Sequence, residues 1–123
     1  MLAKKHRLNL SLEENVSIFR RENSSLVSSR FFLAYLRSNK KYLRVACLSP
    51  KAIFSKAADR NNYRRCLYFF LESEIEKNNF SLMQRVDLVI VIKRNFSISV
   101  SKDILSEDFS VLIKKINSCF NSN

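Results

Sequence analysis

The sequence predicts an α+β sandwich, with helices packed on a single mixed sheet. Three observations carry that expectation. Two aromatic and aliphatic runs, Arg30 to Leu36 and Tyr42 to Leu48, flank the polar stretch Ser38-Asn39-Lys40-Lys41. Val86 to Ile92 is almost purely branched aliphatic, the composition of a strand buried on both faces. Two long segments, from about Ser55 to Lys77 and from about Ser106 to Phe120, repeat apolar residues at helical spacing.

The elements follow in order along the chain. Ser11-Leu12-Glu13-Glu14 reads as a capping box, with Ser11 at the N-cap and Glu14 three residues on. Leu12, Val16 and Phe19 then recur at i, i+4 and i+7, and predict an amphipathic helix of about three turns. Arg20 and Arg21 close it where cations suit the helix dipole. In the run from Arg30, Phe31, Leu33 and Tyr35 are expected on one strand face and Phe32, Ala34 and Leu36 on the other. The two runs around Ser38 to Lys41 are expected to pair as a hairpin, which Pro50 ends. In the last helix Ser106 is the expected N-cap, followed by Glu107 and Asp108, and Phe109, Leu112, Ile113 and Ile116 form its stripe. The chain has no glycine, so backbone positions needing φ > 0 fall to asparagine, and Asn39, Asn78, Asn79 and Asn95 sit at the expected turns and helix ends.

A chain of 123 residues is expected to form one domain over residues 1–123, with a short basic arm at about 1–8 and a short polar tail at about 121–123. Its 46% hydrophobic content suffices for a core, which argues against wholesale disorder. No apolar run approaches the roughly 20 residues of a membrane helix. The start Met1-Leu2-Ala3-Lys4-Lys5-His6-Arg7 has no apolar stretch behind it and does not read as a secretory signal. Cys47, Cys66 and Cys119 are odd in number and widely spaced, which fits reduced packing thiols in a cytoplasmic protein.

Charge is distributed unevenly. Residues 1–66 carry 15 lysines and arginines against 4 acids, whereas residues 67–123 carry 7 of each sign. The whole formal charge of +11 therefore belongs to the first half. A basic field confined to part of a small protein is the footprint of a polyanion-binding surface. A solvated charge excess that only aids solubility is the plainer alternative. The long helix sharpens the choice. Tyr63, Cys66, Leu67 and Phe70 fall within one arc of about 100°, and Arg60, Asn61, Arg64, Arg65 and Tyr68 within another of about 140° on the opposite side. One arc is built to pack on a sheet. The other presents guanidiniums suited to bidentate phosphate contacts and base stacking.

Other chemistry is sparse. His6 is the only histidine, set in a basic arm where a phosphate contact or solvent exposure is expected. Glu72, Glu74, Glu76, Asp87, Asp103, Glu107 and Asp108 lack metal-centre spacings and read as caps and solvated faces. No catalytic residues and no metal ligands are assigned. Phe31 and Phe32 are expected in the core, while Phe19 and Tyr35 are the surface aromatics that could stack on bases.

Nearly the whole chain resembles the protein subunit of bacterial ribonuclease P. Lys4-Lys5-His6-Arg7-Leu8 is similar to the family's basic start, and Phe19-Arg20 to the end of its first helix. Ser29-Arg30-Phe31-Phe32-Leu33-Ala34-Tyr35 resembles its first long strand, and Arg44-Val45-Ala46 the Arg-Val-Gly that opens the next. Lys56-Ala57-Ala58-Asp59-Arg60-Asn61-Asn62-Tyr63-Arg64-Arg65 resembles the signature Ala-Val-x-Arg-Asn-Arg-x-Lys-Arg, with Asn62 where the family has its second arginine. Asp87 to Arg94 resembles the Asp-hydrophobic strand that ends in Ala-Arg. Ala46 stands where glycine is usual, and Asn15 where the first helix has an aromatic.

The resemblance implies an αβββαβα-type fold with a left-handed β-α-β crossover, an exception to the usual right-handed rule. It also implies an RNA-binding subunit of an endoribonuclease, with no catalytic group of its own. In the family the partner RNA carries the chemistry and its Mg²⁺ and hydrolyses the bond joining the 5′ leader to mature tRNA, and the protein alone binds no cofactor. Lys56, Arg60, Asn61, Arg64, Arg65 and Tyr68 would face the ribonuclease P RNA. A cleft near Phe19, Arg30, Tyr35 and Arg44 would hold the leader of precursor tRNA. Lys4, Lys5, His6 and Arg7 would form a basic RNA-binding arm. A monomer in a 1:1 ribonucleoprotein is expected. A general RNA-binding or ribosome-associated module with no processing role is the alternative, and an independent nuclease a distant third.

Overall fold

A computed structural model describes residues 4–7, 25–50, 53–93, 96 and 100–120. The helix expected from Ser11, and Phe19 with it, lies outside the described residues. The described elements are a 3-10 turn (Lys4–His6), β1 (Ser25–Ser28), β2 (Phe32–Ser38), β3 (Arg44–Leu48), α1 (Ala57–Glu76), β4 (Val86–Ile92) and α2 (Lys102–Phe120). They build a mixed four-stranded sheet of order β1-β2-β4-β3.

The expected hairpin between the two runs does not form. Strand β4 lies between them, antiparallel to β2 with Phe32 opposite Ile92, and parallel to β3 with Arg44 opposite Asp87. The physical reason lies in the β4 sequence. Its residues from Val86 to Ile90 are all buried, so the strand requires a neighbour on each edge and cover on each face. Helix α1 makes the crossover joining parallel β3 to β4. Strand β2 instead forms its hairpin with β1, a short edge strand that hydrophobic alternation does not reveal.

The β1–β2 turn also corrects the start of the strand. Arg30 and Phe31 belong to the turn, and the Asp108 carboxylate of α2 clamps it. That carboxylate accepts the Ser29 hydroxyl at 2.7 Å and the backbone N–H groups of Arg30 and Phe31 at 3.1 and 2.8 Å. Phe31 therefore does not share a face with Leu33 and Tyr35. It turns into the core, edge-on to Phe96 at 6.2 Å.

The main core lies between the sheet and the two helices. Phe32, Ala34, Leu36, Leu88, Ile90 and Ile92 meet Tyr63, Leu67, Phe70 and Leu71 of α1. From α2 they meet the expected stripe of Phe109, Leu112, Ile113 and Ile116, which is fully buried. Truncating a side chain placed like Phe109 to alanine costs about 3–5 kcal/mol. Leu105 extends this stripe by one turn, and the helix accordingly begins before Ser106. The cap is Ser101, whose hydroxyl accepts the Ile104 N–H at 3.3 Å, and Ser106 is an exposed residue within the helix.

Asn78, just beyond α1, takes φ = 61° and supplies the left-handed residue expected of an asparagine in a chain without glycine. Asn39 and Asn79 do not use positive φ, and Asn95 lies outside the described residues. Asn39 organises its turn by hydrogen bonding instead. Its carboxamide donates to the Tyr42 carbonyl and Asp87, and accepts the Lys41 N–H.

Three acids expected at caps or on solvated faces serve as internal ties. Asp108 holds the β1–β2 turn. Asp87 is 1% exposed, gripped by Arg44, Arg37 and Asn39. Glu74, also buried, accepts the Ser110 hydroxyl and the Asn79 carboxamide, joining α1 to α2. A buried carboxylate persists only with such partners, and single-residue spacing does not show who they are.

Candidate nucleic-acid interface

Helix α1 separates its two faces as its periodicity requires. Tyr63, Leu67 and Phe70 are buried, and Asn61, Arg64 and Arg65 are exposed. Lys56 precedes the first turn and is exposed. The Arg64 Nη2 donates to Asn61 Oδ1 at 2.6 Å, so two residues of the basic face hold each other at one-turn spacing. This fixes the guanidinium's direction.

Arg60 and Tyr68 occupy the flanks of that face. Arg60 donates from Nη1 to the carbonyls of Phe54 and Ser55, at 2.8 and 3.1 Å, and thereby ties down the approach to the helix. Its own carbonyl accepts the Ser49 hydroxyl at 2.7 Å. Tyr68 is half-buried, and its hydroxyl accepts the Cys47 N–H at 3.3 Å. Burial pushes the Tyr68 phenol up, while the positive charges of Arg7 and Arg64 pull the other way and are outweighed.

The basic arm is docked along the free edge of β3. Arg7 bridges to Val45 in parallel fashion. His6 is only 6% exposed, and its Nδ1 donates to the Leu43 carbonyl at 2.7 Å. That geometry requires the proton on Nδ1, because a carbonyl can only accept. The His6 ring also meets Tyr42 edge-on, with centroids 5.2 Å apart. The expected solvent exposure of His6 is thereby overturned, because the Leu43 carbonyl just before β3 draws the imidazole inward. Lys5 and Arg7 remain exposed. The Lys5 ammonium sits 5.4 Å from the Tyr42 ring centre, and the Arg7 guanidinium 5.9 Å from that of Tyr68. Tyr68 is thus the point where arm and helix touch. The arm reaches across to a phenol of α1 about sixty residues further along the sequence. The sequence shows both segments and does not show that they touch.

The second sheet face carries the other expected site. Tyr35, Val89 and Ala46 form one rung across β2, β4 and β3, and Arg37, Asp87 and Arg44 form the next. Val89 and Ala46 are buried, with Tyr35, Leu48 and Val91 packed against them. Arg44 donates to Asp87 from Nε at 2.7 Å and from Nη2 at 2.8 Å. Burial alone would raise the Asp87 carboxyl, but the hydrogen bonds from Arg44, Asn39 and Arg37 outweigh it and hold the group below its ordinary value. The hydrogen bond to Asp87 in turn raises the Arg44 guanidinium. Tyr35 and Arg44 therefore lie on adjacent rungs. Arg30 lies at the other end of the sheet, exposed, its guanidinium 4.8 Å from the Phe31 ring centre. Arg37 is the residue the sequence reading passed over. Two positions beyond Tyr35 on one strand, it shares that face by simple alternation.

Among the described residues, no three His, Cys, Asp or Glu side chains gather where they could hold a metal ion. Cys47 is buried, and burial pushes its thiol up, away from the nucleophilic thiolate. No helix among the described residues is long and apolar enough to cross a membrane.

Comparison with known proteins adds the frame. The family model described as Ribonuclease P matches residues 2–117. No curated protein matches. Among solved structures, the ribonuclease P protein of Thermotoga maritima superposes with a TM-score of 0.70 at 18% identity, covering 88% of this chain and 96% of that one. A Staphylococcus aureus ribonuclease P protein mutant, described as defective in mRNA degradation, gives 0.73 at 15% identity, covering 93% and 90%. At such identities the structures establish a shared α+β fold. The family match, which spans nearly the whole sequence, establishes the kinship: the chain belongs to the ribonuclease P protein family.

Proposed function

We propose that this chain is the non-catalytic protein subunit of ribonuclease P and assists its RNA in removing the 5′ leader of precursor tRNA. The observation that carries the reading is the contact of Arg7 with Tyr68, one helical turn beyond Arg64 on α1. It makes the docked arm and the outer face of α1 one basic surface. On this surface Lys5, Arg7, Lys56, Arg64 and Arg65 supply charge to the phosphates of the ribonuclease P RNA, and Asn61 orients Arg64. Arg60, His6 and Tyr68 hold the surface in shape.

The leader of precursor tRNA runs over the second sheet face, with Tyr35 offered to a base and the Arg37–Arg44 rung to the backbone. Phe19 and Arg30 belong to the same proposed path. Mg²⁺ is assigned to the RNA. The buried carboxylates Asp87 and Glu74, and the half-buried Asp108, are each engaged by donors of the protein itself, so this donor set does not fit a protein-held Mg²⁺. The chain acts as a monomer in a 1:1 particle in the cytoplasm.

The test is reconstitution with the ribonuclease P RNA of the same genome, assaying precursor tRNA cleavage at low Mg²⁺. The mixture should cut at a single 5′ site, and the purified protein alone should not cut. Specific cleavage by protein alone, surviving further purification, would overturn the non-catalytic assignment. A protein that binds RNA but stimulates no ribonuclease P RNA would lack the processing role.

A further inference from the structure

A groove of about 500 Å³ runs between α1 and the first turns of α2. That volume lies within the roughly 300–1,000 Å³ of ligand-holding clefts. Asn62, Arg65, Phe69 and Phe70 line it from α1, and Lys102 and Asp103 from α2. Phe69 is the unusual member, because a large apolar ring is left 67% exposed. Its ring meets Phe70 edge-on, with centroids 6.5 Å apart and planes at 63°. Phe70 is in turn packed against Phe109 at 5.7 Å, so the core fixes the backing of Phe69. A ring supported at its edge and open to solvent is a platform for a base.

Charge completes the site. Arg65 lies one turn before Phe69, so guanidinium and ring share one side of α1. Lys102 faces them from α2. Both cations are exposed and outnumber the single carboxylate of Asp103. Arg65 belongs both to the groove and to the exposed basic face that holds Arg64 and Asn61. A protein partner would require a broader desolvated apolar patch, whereas this site offers one ring rimmed by charge.

We propose that the groove holds one unstacked nucleotide of a bound RNA, its base on the Phe69 ring and its phosphate between Arg65 and Lys102. The site rests on the reading of α1 as an RNA-binding helix and adds a base contact to a surface otherwise made of phosphate contacts.

The chain contains no tryptophan, so Phe69→Trp installs a single fluorescent reporter at the platform. Titration with the ribonuclease P RNA should quench that emission, and inorganic polyphosphate, which has charge but no bases, should not. Phe69→Leu and Phe69→Ala, both at a position too exposed to unfold the protein, should each weaken RNA binding about tenfold, the range of one base stacked on an aromatic ring. RNA binding with unchanged emission, and with Phe69→Ala within about twofold of the native protein, would overturn the base site and leave the RNA-binding reading intact. Failure of the native protein to bind RNA would overturn both. A concentration-dependent dimer that Phe69→Ala abolishes would assign the groove to a second copy and overturn the proposal.

Discussion

Arg44 and Asp87 stand directly opposite each other across the parallel β3–β4 pair and join through two hydrogen bonds of 2.7 and 2.8 Å. The pair makes Arg44 as much a part of the sheet as of any RNA site. Asp87 is buried, and the side chains of Arg37 and Arg44 remain 30% and 36% exposed. One carboxylate therefore locks two half-open cations in place.

Asp87→Asn should destabilise the fold by about 2 kcal/mol, below the cost of a fully buried pair because both arginines keep contact with water. Urea denaturation at pH 7 measures it. The pH dependence follows from the depressed carboxyl. Its stabilisation is complete above the unfolded value of about 3.9 and is lost as pH falls through the lower folded value. The native protein should lose stability steeply below about pH 4, and Asp87→Asn less so. Parallel acid limbs for the two proteins would refute this role.

Arg64 and Arg60 should separate binding from folding. Arg64→Ala should leave stability unchanged within about 0.5 kcal/mol, while the slope of log affinity against log salt falls by about 0.7–0.9. Arg60→Ala removes the hydrogen bonds to the Phe54 and Ser55 carbonyls and should cost about 1–2 kcal/mol of stability. Its salt slope should change less. An unchanged slope for Arg64→Ala would mean that this face does not meet phosphate.

His6 should act on RNA through Arg7. His6→Ala leaves the Leu43 carbonyl without its partner and should weaken docking of the arm by about 1–3 kcal/mol. Hydrogen exchange over residues 43–47 should rise, and RNA affinity should fall. Combined with Arg7→Ala, the loss should be less than the sum of the two, because a loosened arm no longer positions the guanidinium. Strict additivity would show that the two residues act separately.

Asn62→Arg should tighten RNA binding, most visibly at high salt. Asn62 is exposed at the rim of the α1–α2 groove, beside Arg65. A longer cationic side chain there can cover apolar surface with its stem and reach phosphate with its head. Arginine is also the better helix former. Dissociation constants across a salt series, with circular dichroism to confirm equal folding, decide it. Equal or weaker binding would show that asparagine is adapted to this position.

Much was legible from residue order alone. Branched aliphatics from Val86 to Ile92 specify a strand covered on both faces, and the spacing of Tyr63, Leu67 and Phe70 specifies which side of α1 is buried. The exposed positions of Arg64 and Arg65 follow from that same spacing. These features are local, because a helix repeats every 3.6 residues and a strand every 2, and a side chain's facing direction is set within its own element. The basic half of the chain is legible for a different reason: charge adds along the sequence whatever the fold.

Tertiary structure decided the partners. No periodicity tells that β4 will part β2 from β3, because pairing depends on which edge needs cover most, and that demand belongs to the sheet as a whole. The buried positions of Asp87 and Glu74 arise the same way, since each carboxylate is tolerable only beside donors brought from another element. His6 reads as a surface residue until the chain just before β3 presents the Leu43 carbonyl to it. The sequence by itself determined which residues carry charge and which faces are apolar. Only the folded chain decided that Arg7 meets Tyr68, and that Phe69 stands open beside Lys102, because contacts between distant segments are set by competition for burial and hydrogen bonds across the entire core.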